Sequence, residues 1–203
     1  MYTYYQTSRF GIGGELTPVV KNLIAINILV YMAQMVSPVF YDFMVGYFGL
    51  WPYKLIHNFF IWQLVSYMFM HGGILHILMN MLFLWMFGSP VEKEWGSKEF
   101  LKFYFVSGIG AGVINVIFQP NIPNLSIVGA SGAIYGVMVA FAVMFPERRI
   151  WFIPARFFVL YMGILAFLAA FSTHRDNVAH FAHLGGFVVG YLYLQYKVTF
   201  EKA

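Results

Sequence analysis

The sequence contains no cysteine, and only 10% of its 203 residues are charged. Without cysteine, the chain has no thiol nucleophile, no disulfide framework and no cysteine-ligated zinc site. A typical soluble domain carries roughly a quarter charged residues, so this chain lacks the groups that would cover a water-facing surface. Together with a hydrophobic content of 61%, this excludes an ordinary soluble domain, a disordered tail and a nucleic-acid-binding module. The composition indicates an integral membrane protein surrounded by the lipid bilayer.

Six apolar stretches are candidates for transmembrane helices. A hydrocarbon core of about 30 Å requires roughly 20 apolar residues in a helix. The candidate spans are residues 23–40, 73–87, 100–118, 131–145, 157–171 and 178–196. We therefore predict an all-α polytopic membrane protein with six transmembrane helices in one membrane domain, residues 23–196. Residues 1–22 and 197–203 are predicted to be tails.

The distribution of basic residues predicts the orientation. Six spans place both termini on the same side of the membrane. That side, with the residues bordering its loops, holds Arg9, Lys21, Lys93, Lys98, Lys102, Arg148, Arg149, Arg156, Lys197 and Lys202. The opposite side holds only Lys54 and Arg175. Because basic residues concentrate in cytoplasmic loops, both termini are predicted to be cytoplasmic.

Polar residues inside apolar stretches are costly in a bilayer and usually face a partner or a water-filled cavity. The first such group is His71, His76 and Asn80. His76 and Asn80 are four residues apart, so on a helix they share one face. They could act together in a functional site, or they could form a helix–helix hydrogen bond, worth about 0.6 kcal/mol on average in membranes. The spacing alone leaves both interpretations open.

A second group, Gly129-Ala-Ser131-Gly132, begins the fourth predicted span. A helix over residues 131–145 covers only about 22 Å, so its Ser131 end is predicted to start below the membrane surface. The free N–H groups and positive dipole at a helix N-terminus suit the oxyanion that forms when a serine attacks a carbonyl. Alternatively, Ser131 only caps the helix and the glycines only permit tight packing. Taken alone, the motif favours this second interpretation.

Small residues form a stripe in each of the fourth and sixth spans. The stripes are Gly132, Gly136 and Ala140 in the fourth span, and Ala179, His183, Gly186 and Gly190 in the sixth. Such stripes let two membrane helices approach closely. If they pack together, His183 is brought toward Ser131, and a serine beside a histidine is the general nucleophile–base pair.

The sequence restricts the chemistry that this pair can perform. No acidic residue falls within the six predicted spans, so a Ser-His-Asp triad is not expected and a Ser-His dyad is the arrangement that the composition permits. Metal binding by His71, His76 and His183 is the rival interpretation. The absence of a nearby carboxylate and of an H-E-x-x-H pattern argues against a zinc protease. Neither a metal nor another cofactor is predicted.

These motifs, in this order, resemble the rhomboid family of intramembrane serine proteases, and the compact chain resembles its six-span bacterial members. The resemblance extends over most of the chain from Tyr41 to Tyr196. It is carried by the segment from Trp62 to Gly72, His76-x-x-x-Asn80, Val91-Glu92-x-x-x-Gly96-Ser97, Gly129-x-Ser131-Gly132 and Ala182-His183-x-Gly185-Gly186.

The resemblance implies roles for the residues at the site. Ser131 would be the nucleophile, and His183 would be its general base and then the acid that protonates the leaving amine. His76 and Asn80, with the backbone N–H of Ser131, would donate hydrogen bonds to the oxyanion. Tyr135 matches the family tyrosine that stacks on the catalytic histidine.

The resemblance also implies supporting residues, substrates and a location. Gly129 and Gly132 would flank the nucleophile, and His71 would lie near the site. Glu92 matches a family glutamate that ties the inward loop and the first outward loop into the fold. The substrates would be single-span membrane proteins, cleaved in or near the transmembrane segment, with the fifth span and the outward loops as the gate. The location would be the bacterial inner membrane.

Two departures from the family pattern matter. Many members have Trp-Arg where this chain has Trp62-Gln63, a difference that concerns stability or gating more than the chemistry. His180 also lies close to His183, and we assign the base to His183 because Gly185-Gly186 follows it.

Two other functions remain as alternatives. A non-catalytic rhomboid-like protein would bind transmembrane clients, but such relatives typically lack the serine or the histidine. A small transporter would use intramembrane histidines as proton relays, but it would be expected to have acidic residues in its spans and repeat symmetry. The oligomeric state is not predicted.

Overall fold

The computed structural model describes residues 14–120, 126–171 and 179–200. Within these ranges the chain is mostly α-helical, as predicted. The helices are α1 (Pro18–Gln34), α2 (Pro38–Phe48), α3 (Pro52–Asn58), α4 (Gln63–Ser66), α5 (Ile74–Phe83), α6 (Ser89–Trp95), α7 (Ser97–Phe118), α8 (Ser131–Met144), α9 (Ala155–Ala170) and α10 (His180–Phe200). A 3₁₀ turn (Tyr67–Phe69) follows α4, and a π-helical turn (Leu84–Gly88) joins α5 to α6. Two short strands, β1 (Arg149–Ile150) and β2 (Ile153–Pro154), form a hairpin before α9.

Helix α1 begins inside the predicted tail of residues 1–22. Pro18 occupies its first turn, where the missing N–H of proline costs nothing. The Glu92 carboxylate accepts hydrogen bonds from the backbone N–H groups of Val19 and Val20, both at 2.9 Å. A carboxylate at this position satisfies free N–H groups and complements the helix dipole. This cap comes from a residue far along the chain, so the local sequence did not reveal it.

The first predicted span, residues 23–40, differs from α1 at both ends. It begins five residues too late and ends six residues too far along the chain. Helix α1 ends at Gln34, and α2 begins at Pro38. A proline inside a helix removes a hydrogen bond and clashes with the preceding turn. The Ser37 side chain instead caps the new helix by accepting a hydrogen bond from the N–H of Phe40 at 3.1 Å. Residues 41–63, which follow this predicted span, consequently contain most of α2 and all of α3.

The second predicted span, residues 73–87, continues further than predicted. The α5 helix, the π turn and α6 form one apolar helical stretch from Ile74 to Trp95. It ends at Gly96, which has φ +81°, a backbone conformation that glycine adopts at little cost. The next helix, α7, starts immediately afterwards and therefore extends the predicted span 100–118 by one turn.

Close helix packing occurs between α8 and α10, along the two predicted stripes of small residues. A Cβ built at Gly186 would lie 1.8 Å from the carbonyl oxygen of Gly132, and one built at Gly190 would lie 2.6 Å from the Cα of Gly136. Only glycine permits such an approach between two backbones. The two stripes of small residues therefore pack together, which is the condition under which His183 is brought toward Ser131.

Hydrogen bonds between side chains tie the helices together at one end of the bundle. Glu92 of α6 holds the start of α1 and also accepts a hydrogen bond from Ser97 Oγ at 2.6 Å. Glu99 of α7 accepts from Tyr193 Oη at 2.6 Å and Lys197 Nζ at 3.1 Å, both on α10. Phe141, near the C-terminal end of α8, packs edge-to-face on Phe87 of the π turn, with ring centroids 5.1 Å apart, and α8 also packs against α6. The C-terminal end of α8 and the hairpin therefore lie toward this end of the bundle. Helix α10 continues to residue 200 and so includes the start of the predicted tail 197–203.

Helices occur at all six predicted span positions, and their lengths differ. Among the described residues, two helical stretches are long and apolar enough to cross a membrane, Ile74–Trp95 and Ser97–Phe118. Three more apolar helices are shorter: Pro18–Gln34, Ser131–Met144 and Ala155–Ala170. The number of crossings therefore stays a prediction. Arg9, Arg175 and Lys202, used in the orientation prediction, lie outside the described residues.

Candidate active site

Ser131 is the first residue of α8, and backbone hydrogen bonds fix the chain that leads to it. Leu50 and Ile127 form an isolated antiparallel bridge, with N–H···O distances of 2.9 and 2.8 Å. Two residues later the N–H of Gly129 donates to the carbonyl oxygen of Tyr67 at 2.9 Å. Because these bonds precede the helix directly, the N-terminus of α8 and the Ser131 side chain are held in one place.

His183 of α10 lies against Ser131. Its Nε2 atom is 2.7 Å from Ser131 Oγ, within hydrogen-bond distance. The His183 ring stacks on the ring of Tyr135, one turn along α8, with centroids 4.7 Å apart and planes 13° apart. The close contact of α8 and α10 positions this pair, because Gly186 lies one turn after His183. His180 lies beside His183, with the two ring centroids 6.2 Å apart, and it is His183 that contacts Ser131.

His76 and Asn80 of α5 face the same residue, Gly129. A Cβ built at Gly129 would lie 2.6 Å from His76 Nε2 and 3.5 Å from Asn80 Nδ2. Gly129 also has φ +121°, so both its backbone conformation and its surroundings require glycine. The two side chains predicted to share a helix face therefore converge on the residue two positions before Ser131.

The hydrogen-bond partners of this pair indicate which atoms can donate. The N–H of Gly72 donates to His76 Nδ1 at 3.3 Å, so in the neutral ring the proton is on Nε2, the nitrogen facing Gly129. Asn80 is buried, and its Nδ2 atom has no hydrogen-bond partner among the described residues. An unpaired buried amide is rare in folded proteins. Two N–H donors near Ser131 are thus open to a ligand atom.

Gly132 lets α8 approach α7 as well as α10. A Cβ at Gly132 would lie 2.7 Å from Ala111 Cβ and 3.3 Å from the hydroxyl oxygen of Tyr67. That hydroxyl donates to the carbonyl oxygen of Gly108 at 2.7 Å. Tyr67 thus joins the chain before Ser131 to α7. The local sequence does not reveal this role of Tyr67, because an aromatic residue in an apolar segment carries no distinct signal.

His71 is fully buried beside the site. Its ring lies edge-to-face against that of His76, with centroids 5.1 Å apart, and neither ring nitrogen has a hydrogen-bond partner among the described residues. Its backbone is held by Gln34, which accepts from the His71 N–H at 3.0 Å and donates to its carbonyl oxygen at 3.1 Å. Gln34 is absent from the predicted site residues, although a lone amide in an apolar stretch is a signal that could have indicated it.

The hydrogen bonds of Glu92 differ from those that the family resemblance implied for it. The resemblance implied a link between the inward loop and the first outward loop. The hydrogen bonds of Glu92 instead run to Thr17, Val19, Val20 and Ser97. All four partners lie at the end of the bundle where α1 and α7 begin, so Glu92 caps α1, and none of these hydrogen bonds reaches the loop that contains α2 and α3.

Gln63 holds the loop that contains α2 and α3. It is fully buried, its Oε1 accepts from the N–H of Trp51 at 3.0 Å, and its Nε2 donates to the carbonyl oxygen of Tyr47 at 3.1 Å. The indole N–H of Trp62 donates to the same carbonyl at 3.0 Å. A neutral amide therefore supplies both a donor and an acceptor at the position where many family members have arginine.

The comparisons with known proteins point to one family. Residues 58–199 match the Rhomboid domain. The chain is 32% identical over 171 residues to Rhomboid protein 1, mitochondrial, of Saccharomyces cerevisiae, and the match covers 73% of this chain and 49% of that protein. It is 32% identical over 137 residues to Rhomboid-like protease 3 of Toxoplasma gondii, with 66% and 50% covered. It is 28% identical over 197 residues to Rhomboid protease GlpG of Yersinia pestis, with 94% and 65% covered.

The match to the Rhomboid domain covers well over half of the chain, whereas the chain spans only about half to two thirds of the length of these three relatives. The apolar helices and the family match together identify an integral membrane protein, as the composition predicted. The chain belongs to the rhomboid family, as its motifs predicted.

Proposed function

We propose that this protein is an intramembrane serine endopeptidase that uses Ser131 and His183 as a catalytic dyad. The observation that carries the proposal is the 2.7 Å contact between Ser131 Oγ and His183 Nε2. A serine hydroxyl is a weak nucleophile until a neighbouring base accepts its proton. Two relatives with protease in their names, from Toxoplasma gondii and Yersinia pestis, support a peptide-cleaving function.

The reaction proceeds in two halves. In the first, Ser131 Oγ attacks the scissile carbonyl carbon while His183 Nε2 takes the hydroxyl proton, and His183 then gives this proton to the leaving amine. The products are the amine fragment and an acyl ester on Ser131. In the second half, His183 takes a proton from water as the water attacks the ester, and returns it to Ser131 Oγ. The acid fragment leaves, and both side chains return to their starting states.

The stacked ring of Tyr135 orients the imidazole during both halves. With centroids 4.7 Å apart, the tyrosine fixes the plane of His183 so that Nε2 points at Ser131. A positively charged imidazolium over the face of an aromatic ring is also favourable by about 0.5–2 kcal/mol. The ring thus performs part of the orienting role that a carboxylate has in a triad.

The oxyanion is stabilised by donors that are in place before the reaction. Asn80 Nδ2 and His76 Nε2 lie beside Gly129, and the backbone N–H of Ser131 is free at the helix N-terminus. Hydrogen-bond donors that are already in position stabilise the negative charge that develops on the oxygen, and they need no reorganisation during the reaction. The missing hydrogen-bond partner of Asn80 Nδ2 supports this role, because the charge would supply it.

We also propose the wider setting. The membrane domain of residues 23–196 crosses the bilayer six times, with both termini in the cytoplasm of a bacterial cell, and the substrates are single-span membrane proteins. The excess of basic residues at the end that carries Glu92 and Glu99 supports this orientation. The α8 helix, with 14 residues, is short for a full crossing, which supports a Ser131 that lies below the membrane surface.

Labelling with a fluorophosphonate tests the dyad. This probe forms a covalent bond with activated serines, and we expect wild type in detergent micelles to be labelled at Ser131. Both Ser131→Ala and His183→Ala should lose labelling while the thermal unfolding midpoint stays near that of wild type. His180→Ala is the matched control and should retain labelling. An unlabelled wild type, beside a labelled rhomboid protease run in parallel, would favour a non-catalytic client-binding protein.

A further inference from the structure

The hairpin between α8 and α9 presents an apolar tip. Strands β1 and β2 pair Arg149 with Pro154 and Ile150 with Ile153, which leaves Trp151 and Phe152 as the turn. Trp151 has φ +53°, a conformation usually occupied by glycine or asparagine. Phe152 is 89% exposed, and Trp151 is 55% exposed. Phe152 is therefore almost fully exposed, whereas Trp151 is exposed on one side and packs edge-to-face on Phe158 of α9, with ring centroids 6.1 Å apart.

Three arginines surround the base of this tip. Arg148 lies over the rings of Phe141 and Phe145, with distances of 5.6 and 5.8 Å to the ring centroids. Partial burial lowers the pKa of its guanidinium from the ordinary value, but an arginine remains charged at neutral pH. Arg156 pairs with Glu147 and, like the side chain of Arg149, is exposed.

The position of the hairpin sets the environment of these side chains. It lies at the ends of two apolar helices, α8 and α9, where the chain leaves the hydrocarbon core. Tryptophan and other amphipathic aromatic groups are enriched at this level of a bilayer. The guanidinium group matches phosphate geometry through paired hydrogen bonds, and anionic lipids attract nearby arginines and lysines. Aromatic rings flanked by arginines therefore fit the headgroup layer of a leaflet that contains anionic phospholipid.

We propose that the hairpin, residues 148–156, is a lipid-binding surface that holds anionic phospholipid headgroups through Arg149 while Trp151 and Phe152 insert into the headgroup layer. Because β2 runs directly into α9, this contact fixes that end of α9 against the membrane. The surface acts independently of Ser131, so the proposal does not depend on the protease activity.

The depth of the tip provides the first test. The native chain has no cysteine, so Phe152→Cys gives a unique site for a nitroxide spin label in the full chain. Lys98→Cys, an exposed position at the same end of the bundle, is the control. In nanodiscs of equal parts phosphatidylcholine and phosphatidylglycerol, the label at 152 should be accessible to oxygen and shielded from a water-soluble nickel complex. Equal nickel accessibility at 152 and 98 would overturn the proposal.

The lipid preference provides the second test. Native mass spectrometry of the full chain can compare the affinity for phosphatidylglycerol of wild type, Arg149→Gln and Lys98→Gln. We expect Arg149→Gln to bind about fivefold more weakly, the usual effect of one basic residue near an anionic surface, and Lys98→Gln to bind as wild type. Equal weakening in both variants, or equal binding of phosphatidylcholine by wild type, would refute a specific anionic site at the hairpin.

Discussion

A single added methyl group at Gly186 tests whether the contact between α8 and α10 sets the geometry of the dyad. In Gly186→Ala, the new Cβ would lie 1.8 Å from the carbonyl oxygen of Gly132 and 2.7 Å from its carbonyl carbon. Ordinary van der Waals contact requires about 3.4 Å, so the two helices must separate by about 1.5 Å at this point. The atoms that the new Cβ would meet belong to the backbone of Gly132. They cannot move aside by a change of side-chain rotamer.

This separation acts directly on the proposed reaction. Gly186 is one turn from His183, and Gly132 follows Ser131, so the movement is transmitted to the 2.7 Å contact between Oγ and Nε2. Lengthened by more than 1 Å, that contact exceeds the usual hydrogen-bond limit of about 3.2 Å. A displacement of about 1 Å can reduce a reaction rate about 100-fold. We therefore expect the rate of fluorophosphonate labelling to fall by about that factor.

The assay is the second-order labelling rate of purified protein in micelles, measured together with the thermal unfolding midpoint. Gly46→Ala is the control, because its Cβ would meet only Lys54 Nζ, at 4.0 Å. Gly190→Ala, with a Cβ 2.6 Å from the Cα of Gly136, is farther from the dyad and should lose less activity. A folded Gly186→Ala variant that labels at the wild-type rate would show that this packing does not set the geometry.

Three further substitutions test other contacts. Asn80→Ala should lower kcat about 10²–10³-fold with little effect on KM, as expected for loss of one oxyanion donor, and an unchanged kcat on a transmembrane reporter would return Asn80 to a structural role. Glu92→Gln should lower the free energy of unfolding by about 2–3 kcal/mol, because buried charge-assisted bonds are lost, and an unchanged denaturation curve would contradict this. Gln63→Leu should leave the N–H of Trp51 unpaired, at about 1–3 kcal/mol, and remove one of the two hydrogen bonds to the carbonyl of Tyr47, the other being donated by Trp62. The first loop should then be more sensitive to protease, and equal digestion of wild type and variant would count against this.

The parts of the site that could be predicted depend on local spacing. The step of four between His76 and Asn80 predicted a shared face, and both side chains face Gly129. The small residues through Gly132 and Gly186 predicted the helix contact that brings His183 to Ser131. These patterns work because a helix has a fixed period and because glycine is the residue that permits backbone contact.

The parts that could not be predicted depend on contacts between distant residues. Gln34 binds the backbone of His71 across 37 positions, and Glu92 caps α1 across more than 70. Neither hydrogen bond produces a periodic pattern in the sequence. The partners are backbone groups, which nearly every residue has, so the residue type at the partner position does not reveal the contact. The end of α1 is different, because Pro38 is a visible signal that the helix must end before residue 40.

Two carboxylates at one end of the bundle and the polar side chains beside Ser131 differ in how they are paired. Glu92 and Glu99 have several hydrogen-bond partners each, so that end stabilises the fold. At the Ser131 end, the ring nitrogens of His71 and the amide nitrogen of Asn80 are buried without partners among the described residues. Such groups cost free energy of folding, and filling the site with apolar side chains would avoid that cost. A donor without a partner in the protein can bind an oxyanion. The proposed reaction therefore requires unpaired donors that lower the stability of the fold.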